Sequence, residues 1–292
     1  MKSFVIALLF LIPFSANAAS RMLATTDWLA DNLDKVTVVQ VSHDRAKYDA
    51  GHIPGALYLD WKDVAVTREG VPNELPPMSD LTSLIRRLGI DPSTHVVLYD
   101  DDAGLFAARA YFVLDYAGLD RVSLLDGQLK KWTLEKRALT KDVPVPKESS
   151  YAAGPRPEVL VPLRAMEDYV WAANNGKSGD IVLIDARPDA QYAGTEPGEQ
   201  ITRPGHIPGA RSLFWMKQVV SEENPVLRPE KELRALYEKA GVKPGNRVIT
   251  YCRTGGQSSH AYFVAKMLGY KVSMYDGSFI EWSGGKDRPV EK

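Results

Sequence analysis

A chain of 292 residues, 45% hydrophobic and 25% charged, can bury a large core and by length alone suggests two domains. The formal net charge of −1 offers no bulk attraction for nucleic acid or an anionic membrane, so partners must be inferred from a site. A single cysteine excludes any internal disulfide.

Lys2 is followed by an apolar run from Phe4 to Phe14 and then Ser15-Ala16-Asn17-Ala18, a small-x-small ending that reads as a signal-peptidase site. The run is far shorter than the roughly 20 residues a membrane-crossing helix needs. The expectation is a cleaved signal peptide over residues 1–18 and a soluble exported protein, placed in the bacterial periplasm. The first domain is expected over residues 22–140. It opens with an apolar strand at 36–41, the turn Gly51-His52-Ile53-Pro54-Gly55-Ala56 and Trp61. Helical spacing over 82–88 stops at Gly89; a strand at 96–99 leads into Asp100-Asp101-Asp102, and a second helix at 107–117 stops at Gly118. Residues 141–158, rich in Pro, Lys and Ser with little apolar periodicity, read as an exposed linker.

The second domain, expected over residues 159–290, repeats the plan. Gly205-His206-Ile207-Pro208-Gly209-Ala210 follows a strand at 181–184 and precedes Trp215. Val248-Ile249-Thr250-Tyr251 answers Val96-Val97-Leu98-Tyr99, Ala261-Tyr262-Phe263-Val264 answers Ala110-Tyr111-Phe112-Val113, and Asp276-Gly277 answers Asp126-Gly127. Helices at 231–240 and 258–268 again stop at glycines, Gly241 and Gly269. Apolar strands separated by helices imply an α/β fold: two tandem domains, each a mostly parallel sheet with helices on both faces. In such sheets ligands sit beyond the carboxyl ends of the strands.

Cys252 stands at that edge, directly after its strand. Gly255 and Gly256 let the backbone curl so that successive N–H groups point inward, forming a nest that stabilises a thiolate or a persulfide anion; the following helix N-terminus adds partial positive charge. Arg253 can steer an incoming oxyanion, and Ser258 and Ser259 can cap the helix and donate to the loop. An inert cysteine would sit among apolar neighbours instead. The duplication is an internal control: the first half has three carboxylates where the second has Cys252-Arg253-Thr254-Gly255-Gly256-Gln257, and Gln40-Val41-Ser42 where the second has Asp185-Ala186-Arg187. The first half should therefore repel an anion. The His-containing turn occurs in both halves, so it serves the fold, and His206 reads as a turn residue.

Tandem halves, the repeated Gly-His-Ile-Pro-Gly-Ala turn, Asp185-Ala186-Arg187, the single cysteine opening its loop and Tyr275-Asp276-Gly277-Ser278 together resemble the two-domain rhodanese family, the thiosulfate and 3-mercaptopyruvate sulfurtransferases. The resemblance runs from about Met22 to Pro289. It implies two tandem rhodanese-like domains of which only the second is catalytic, with no cofactor and no metal. Cys252 would carry sulfur as a persulfide, received from thiosulfate and passed to cyanide or a thiol, with the backbone from Arg253 to Ser258 stabilising it.

The loop departs from that pattern in places. Arg253 followed by Thr254 matches half of the Arg-Lys pair of the thiosulfate enzymes, and neither residue of the Gly-Ser pair of the mercaptopyruvate enzymes. An arginine common in both groups is here Gln191, leaving Arg203 or Arg187 as the candidate anion clamp, although Arg187 could equally pair with Asp185. A mercaptopyruvate enzyme and a non-catalytic persulfide or selenium carrier use the same residues. A phosphatase would need an arginine where Ser258 stands. A metal at Asp100-Asp101-Asp102 lacks a second set of ligands, and consecutive carboxylates in a loop usually face solvent.

Overall fold

The computed structural model describes residues 22–177 and 179–292; the expected signal peptide lies outside them. In the first half β1 (Leu23–Ala24), α1 (Thr26–Ala30), β2 (Thr37–Ser42), α2 (Arg45–Ala50), β3 (Leu57–Asp60), β4 (Val66–Arg68), β5 (Val71–Glu74), α3 (Met78–Arg87), β6 (Val96–Tyr99), α4 (Leu105–Tyr116), β7 (Val122–Leu125) and α5 (Gln128–Leu134) succeed one another. The second half has α6 (Leu163–Asn174), β8 (Ile181–Asp185), α7 (Asp189–Tyr192), β9 (Arg211–Ser212), α8 (Glu230–Lys239), β10 (Arg247–Tyr251), α9 (Gly256–Met267), β11 (Lys271–Met274) and α10 (Ser278–Gly284). The four glycines expected to stop helices, Gly89, Gly118, Gly241 and Gly269, all have positive φ.

Each half holds a parallel sheet, ordered β1-β7-β6-β2-β3 in the first and β11-β10-β8-β9 in the second. A parallel bridge from Leu160 to Met274 adds to the second sheet what β1 adds to the first. Strand periodicity divides the side chains between two faces. Val39, Val41, Val96 and Leu98 pack with α3 and α4, whereas Val38, Val97 and Tyr99 pack with Leu29 and Trp132. The first of these cores continues into the second half through Ile184, Val248, Tyr262 and Phe263. The halves are thus joined by a shared apolar interior in which Tyr111 meets Phe263 edge-on at 4.8 Å and Phe112 meets Tyr262 at 5.0 Å.

The duplicated turns are built alike. Tyr99 and Tyr251 each accept the amide of the turn isoleucine, Ile53 or Ile207, at 3.1 Å. His52 stacks on Tyr48 and His206 on Tyr192, each with Nδ1 2.9 Å from that tyrosine's carbonyl oxygen. His52 also bridges to Thr140, and His206 to Glu291.

The segment expected as an exposed linker is only partly exposed. Tyr151 is buried, its carbonyl receives Arg86 Nε at 2.7 Å, and Ser149 Oγ donates to Ile90 at 2.6 Å. Proline and polarity hid this anchoring, because it depends on partners far along the chain.

One element reaches across the molecule. The antiparallel hairpin β4–β5 belongs to the first half but lies on the second: Leu75 N donates to Asp276 Oδ2 at 2.6 Å and Asn73 Nδ2 to Thr254 Oγ1 at 3.1 Å.

Candidate active site

Strand β10 ends at Tyr251 and α9 begins at Gly256, and in the turn between them the Cys252 side chain folds back under its own loop. Gly255, left-handed at φ 95°, directs its N–H to Cys252 Sγ at 3.1 Å. No side chain caps α9, so its first donors remain free for an anion at the sulfur. Ser258 and Ser259 do not cap as expected; their hydroxyls donate to the Gly255 carbonyl at 3.0 and 2.8 Å and so tie the loop to the helix. From the other side Ser278 lies 3.3 Å from Cys252 N, and Phe279 N donates to Cys252 O at 2.9 Å, fixing the loop to α10.

Cys252 borders a cavity of about 200 Å³ that is also lined by Arg253, Thr254, Gly256 and Gln257 together with Trp61, Asn73 and Leu105. That volume falls below the roughly 300–1,000 Å³ of sites for drug-sized ligands, so it suits a small ion. Cys252 is only 1% exposed. A groove of about 510 Å³ behind the hairpin is larger, but Cys252 does not line it. Trp61, Asn73 and Leu105 come from the half without the thiol, and the sequence does not signal their place here; Trp61 reads there only as part of the repeat.

Of the other expected residues, Gly255 holds the sulfur through its amide and Ser258 is fully buried beneath the loop. Arg253, at the rim, pairs through Nη1 with Glu199 Oε2 at 2.9 Å. Gln191 is close by: a Cβ on Gly198 would lie 3.3 Å from the Gln191 amide and 3.5 Å from Arg253 Cδ. Arg187 does not line the cavity. It is fully buried, held by Asp185 with Nε at 2.9 Å and by the Gly205 carbonyl at 2.7 Å, with Nη1 unpartnered. Arg203 is also elsewhere, donating to the carbonyls of Ser283, Lys286 and Arg288. Both arginines serve as internal braces, which leaves Arg253 as the cation at the cavity.

The acidic turn of the first half has a different use from the solvent-facing one expected. Asp100, in the place of Cys252, is buried, and its carboxylate accepts from the amides of Asp102 at 2.9 Å, Gly104 at 2.8 Å and Ala107 at 2.9 Å. Gly104, at φ 93°, stands to Asp100 as Gly255 stands to Cys252. The nest in this half is therefore filled by the chain's own carboxylate, which burial pushes up to about 7. No group of three or more His, Cys, Asp or Glu side chains able to hold a metal occurs among the described residues, and no described helix is long and apolar enough to cross a membrane.

Comparison with known proteins agrees with this geometry. The rhodanese-like domain matches twice, at residues 25–135 and 168–284. The sulfur carrier protein TtuD of Thermus thermophilus is 37% identical over 94% of this chain and 98% of its own length. A Mycolicibacterium smegmatis protein named "Putative thiosulfate sulfurtransferase" is 36% identical over 94% of this chain and 99% of its own. Among solved structures, the anaerobic ergothioneine biosynthesis enzyme from Chlorobium limicola in complex with trimethyl histidine superimposes with a TM-score of 0.83 at 26% identity, covering 93% of this chain and 70% of that one. YnjE superimposes with a TM-score of 0.82 at 25% identity, covering 93% of this chain and 68% of that one.

Proposed function

The chain belongs to the rhodanese-like family, whose domain it carries twice, and on that premise we propose that it is a sulfurtransferase taking the outer sulfur of thiosulfate onto Cys252 and passing it to cyanide or a thiol. The observation that carries this reading is the lone cysteine bordering a small cavity, with the Gly255 amide aimed at its sulfur. The Cys252 thiolate attacks the outer sulfur of thiosulfate. A new S–S bond forms, the donor's S–S bond breaks, and sulfite leaves with the electron pair. Cyanide or a thiolate then attacks the outer sulfur of the persulfide, carrying it off and returning the cysteine as thiolate. The free amides at the start of α9 stabilise negative charge at both stages.

Arg253 supports thiosulfate as the donor. Its bond to the exposed Glu199 is worth at most about 1 kcal/mol, so an incoming dianion can compete for the guanidinium. Periplasmic placement rests on the leader pattern of residues 1–18 alone.

Purified protein should release sulfite from thiosulfate, form thiocyanate with cyanide and gain the mass of one sulfur, and Cys252→Ala should lose all three. Undiminished turnover in that variant refutes the assignment. Arg253→Gly should slow sulfite release from thiosulfate more than sulfur transfer from 3-mercaptopyruvate; an equal loss on both donors counts against the steering role. The similarity to a sulfur carrier protein supports a second reading, in which the persulfide forms once and waits for a protein acceptor. Stoichiometric loading without cyanide turnover would select it.

A further inference from the structure

We propose that Arg109, which belongs to the half without the thiol, is a positioning residue for Cys252: its guanidinium, set against Gly255, holds the sulfur loop in shape and supplies positive charge behind it. The inference deepens the sulfur-transfer reading and rests on it.

Arg109 is fully buried. It donates through Nε to Val64 O at 3.0 Å, through Nη2 to Asn73 O at 2.7 Å and through Nη1 to Asp276 Oδ1 at 2.5 Å. These bonds join the hairpin of the first half to the acid that precedes α10 in the second. The ion pair lies against the residue that holds the sulfur: a Cβ on Gly255 would sit 3.1 Å from both Arg109 Nη1 and Asp276 Oδ1, and 3.4 Å from Asn73 O. One residue therefore separates the guanidinium from Cys252 Sγ.

The duplication indicates that more than domain docking is involved. Asp276 accepts Leu75 N at 2.6 Å, and its counterpart Asp126 accepts Leu227 N at 2.9 Å, so each half reaches across in the same manner. The counterpart of Arg109 is His260, which borders the acidic turn: a Cβ on Gly104 would lie 3.6 Å from its Cδ2. Burial pushes His260 down to about 4, so its ring is neutral near pH 7. The turn filled by its own carboxylate thus faces a neutral ring, while the turn holding the sulfur faces the guanidinium of the Arg109–Asp276 ion pair. The other charged groups near the sulfur are Arg187, buried with Asp185 and close enough to interact electrostatically with Cys252, and Arg253 with Glu199 at the rim. With Asp276 also beside Gly255, Arg109 is the cation in this set contributed by the other half.

The test is iodoacetamide alkylation of Cys252, the sole thiol, followed by intact mass across pH in the full chain, with melting temperature as the control for folding. Arg109→Gln should slow alkylation about tenfold near pH 7 and move its pH profile upward, while Arg109→Lys restores most of the rate. Asp276→Asn, which leaves the guanidinium uncompensated, should move the profile the opposite way. Profiles that superimpose on the parent's in every variant that folds would overturn the proposal and reduce Arg109 to interdomain glue. Sulfur loading of the parent from thiosulfate is scored separately. A parent that alkylates but gains no sulfur removes the transfer reading, and the profiles still decide the role of Arg109.

Discussion

Asp100 and Cys252 occupy the same place in the two halves, and each accepts the amide of a left-handed glycine. One nest holds a carboxylate and the other a side chain able to form a new bond, and on the proposed function this difference confines the chemistry to the second half. Gly255 has no substitute there. Alanine would take an unfavourable φ of 95° and press its Cβ to 3.1 Å from two buried charged atoms. We expect Gly255→Ala to cost about 1–3 kcal/mol in denaturant unfolding and to lose sulfur loading as well. His260 gives a pH dependence of defined sign. Its folded-state value of about 4 lies below the ordinary 6.5, so the native state excludes a proton that the unfolded chain takes up. That contribution to stability is present above about pH 6.5 and is lost as the pH falls toward 4. Melting temperatures of the parent and His260→Phe, compared at about pH 7 and about pH 4.5, should show the larger acid loss in the parent.

At the level of elements, the chain's local signals were largely legible. Helix ends were marked by glycines that adopt positive φ, and the strands by apolar runs of the right length. The order Tyr251, Cys252, glycine pair, helix marks the candidate nucleophile in the sequence. The hairpin β4–β5 was not legible. Its residues are polar or half-buried, and their importance arises from contacts about 180 to 200 positions away, Asn73 with Thr254 and Leu75 with Asp276. For the same reason Arg187 and Arg203 read equally well as clamps: the sequence shows a cation but not which carbonyls surround it. Asn73→Ala removes the hairpin's contact with the loop without creating a buried charge. It should change stability by less than about 1.5 kcal/mol and still raise KM for thiosulfate several-fold, as steady-state sulfite release would show.

Across the whole molecule, the apolar interior shared by α4 and α9 makes the halves interdependent. Phe263 is fully buried between them, and Phe263→Ala should cost about 3–5 kcal/mol. Tyr262 donates to Asp115 at 2.6 Å on the same seam. Calorimetry should accordingly show one cooperative transition, lowered as a unit in the Phe263 variant; two separate peaks would mean that the halves melt independently.

If Cys252 transfers sulfur as proposed, the small volume of the cavity constrains what can collect it. A residue that is 1% exposed, in a cavity also lined by Trp61 and Leu105, gains only about 2 Å of reach when a second sulfur is added. A folded receiver with a broad convex surface would stop short of it. On the proposed sulfur transfer the recipient must be slender, either a diffusible nucleophile a few atoms long or an unstructured tail whose tip threads the opening like a key.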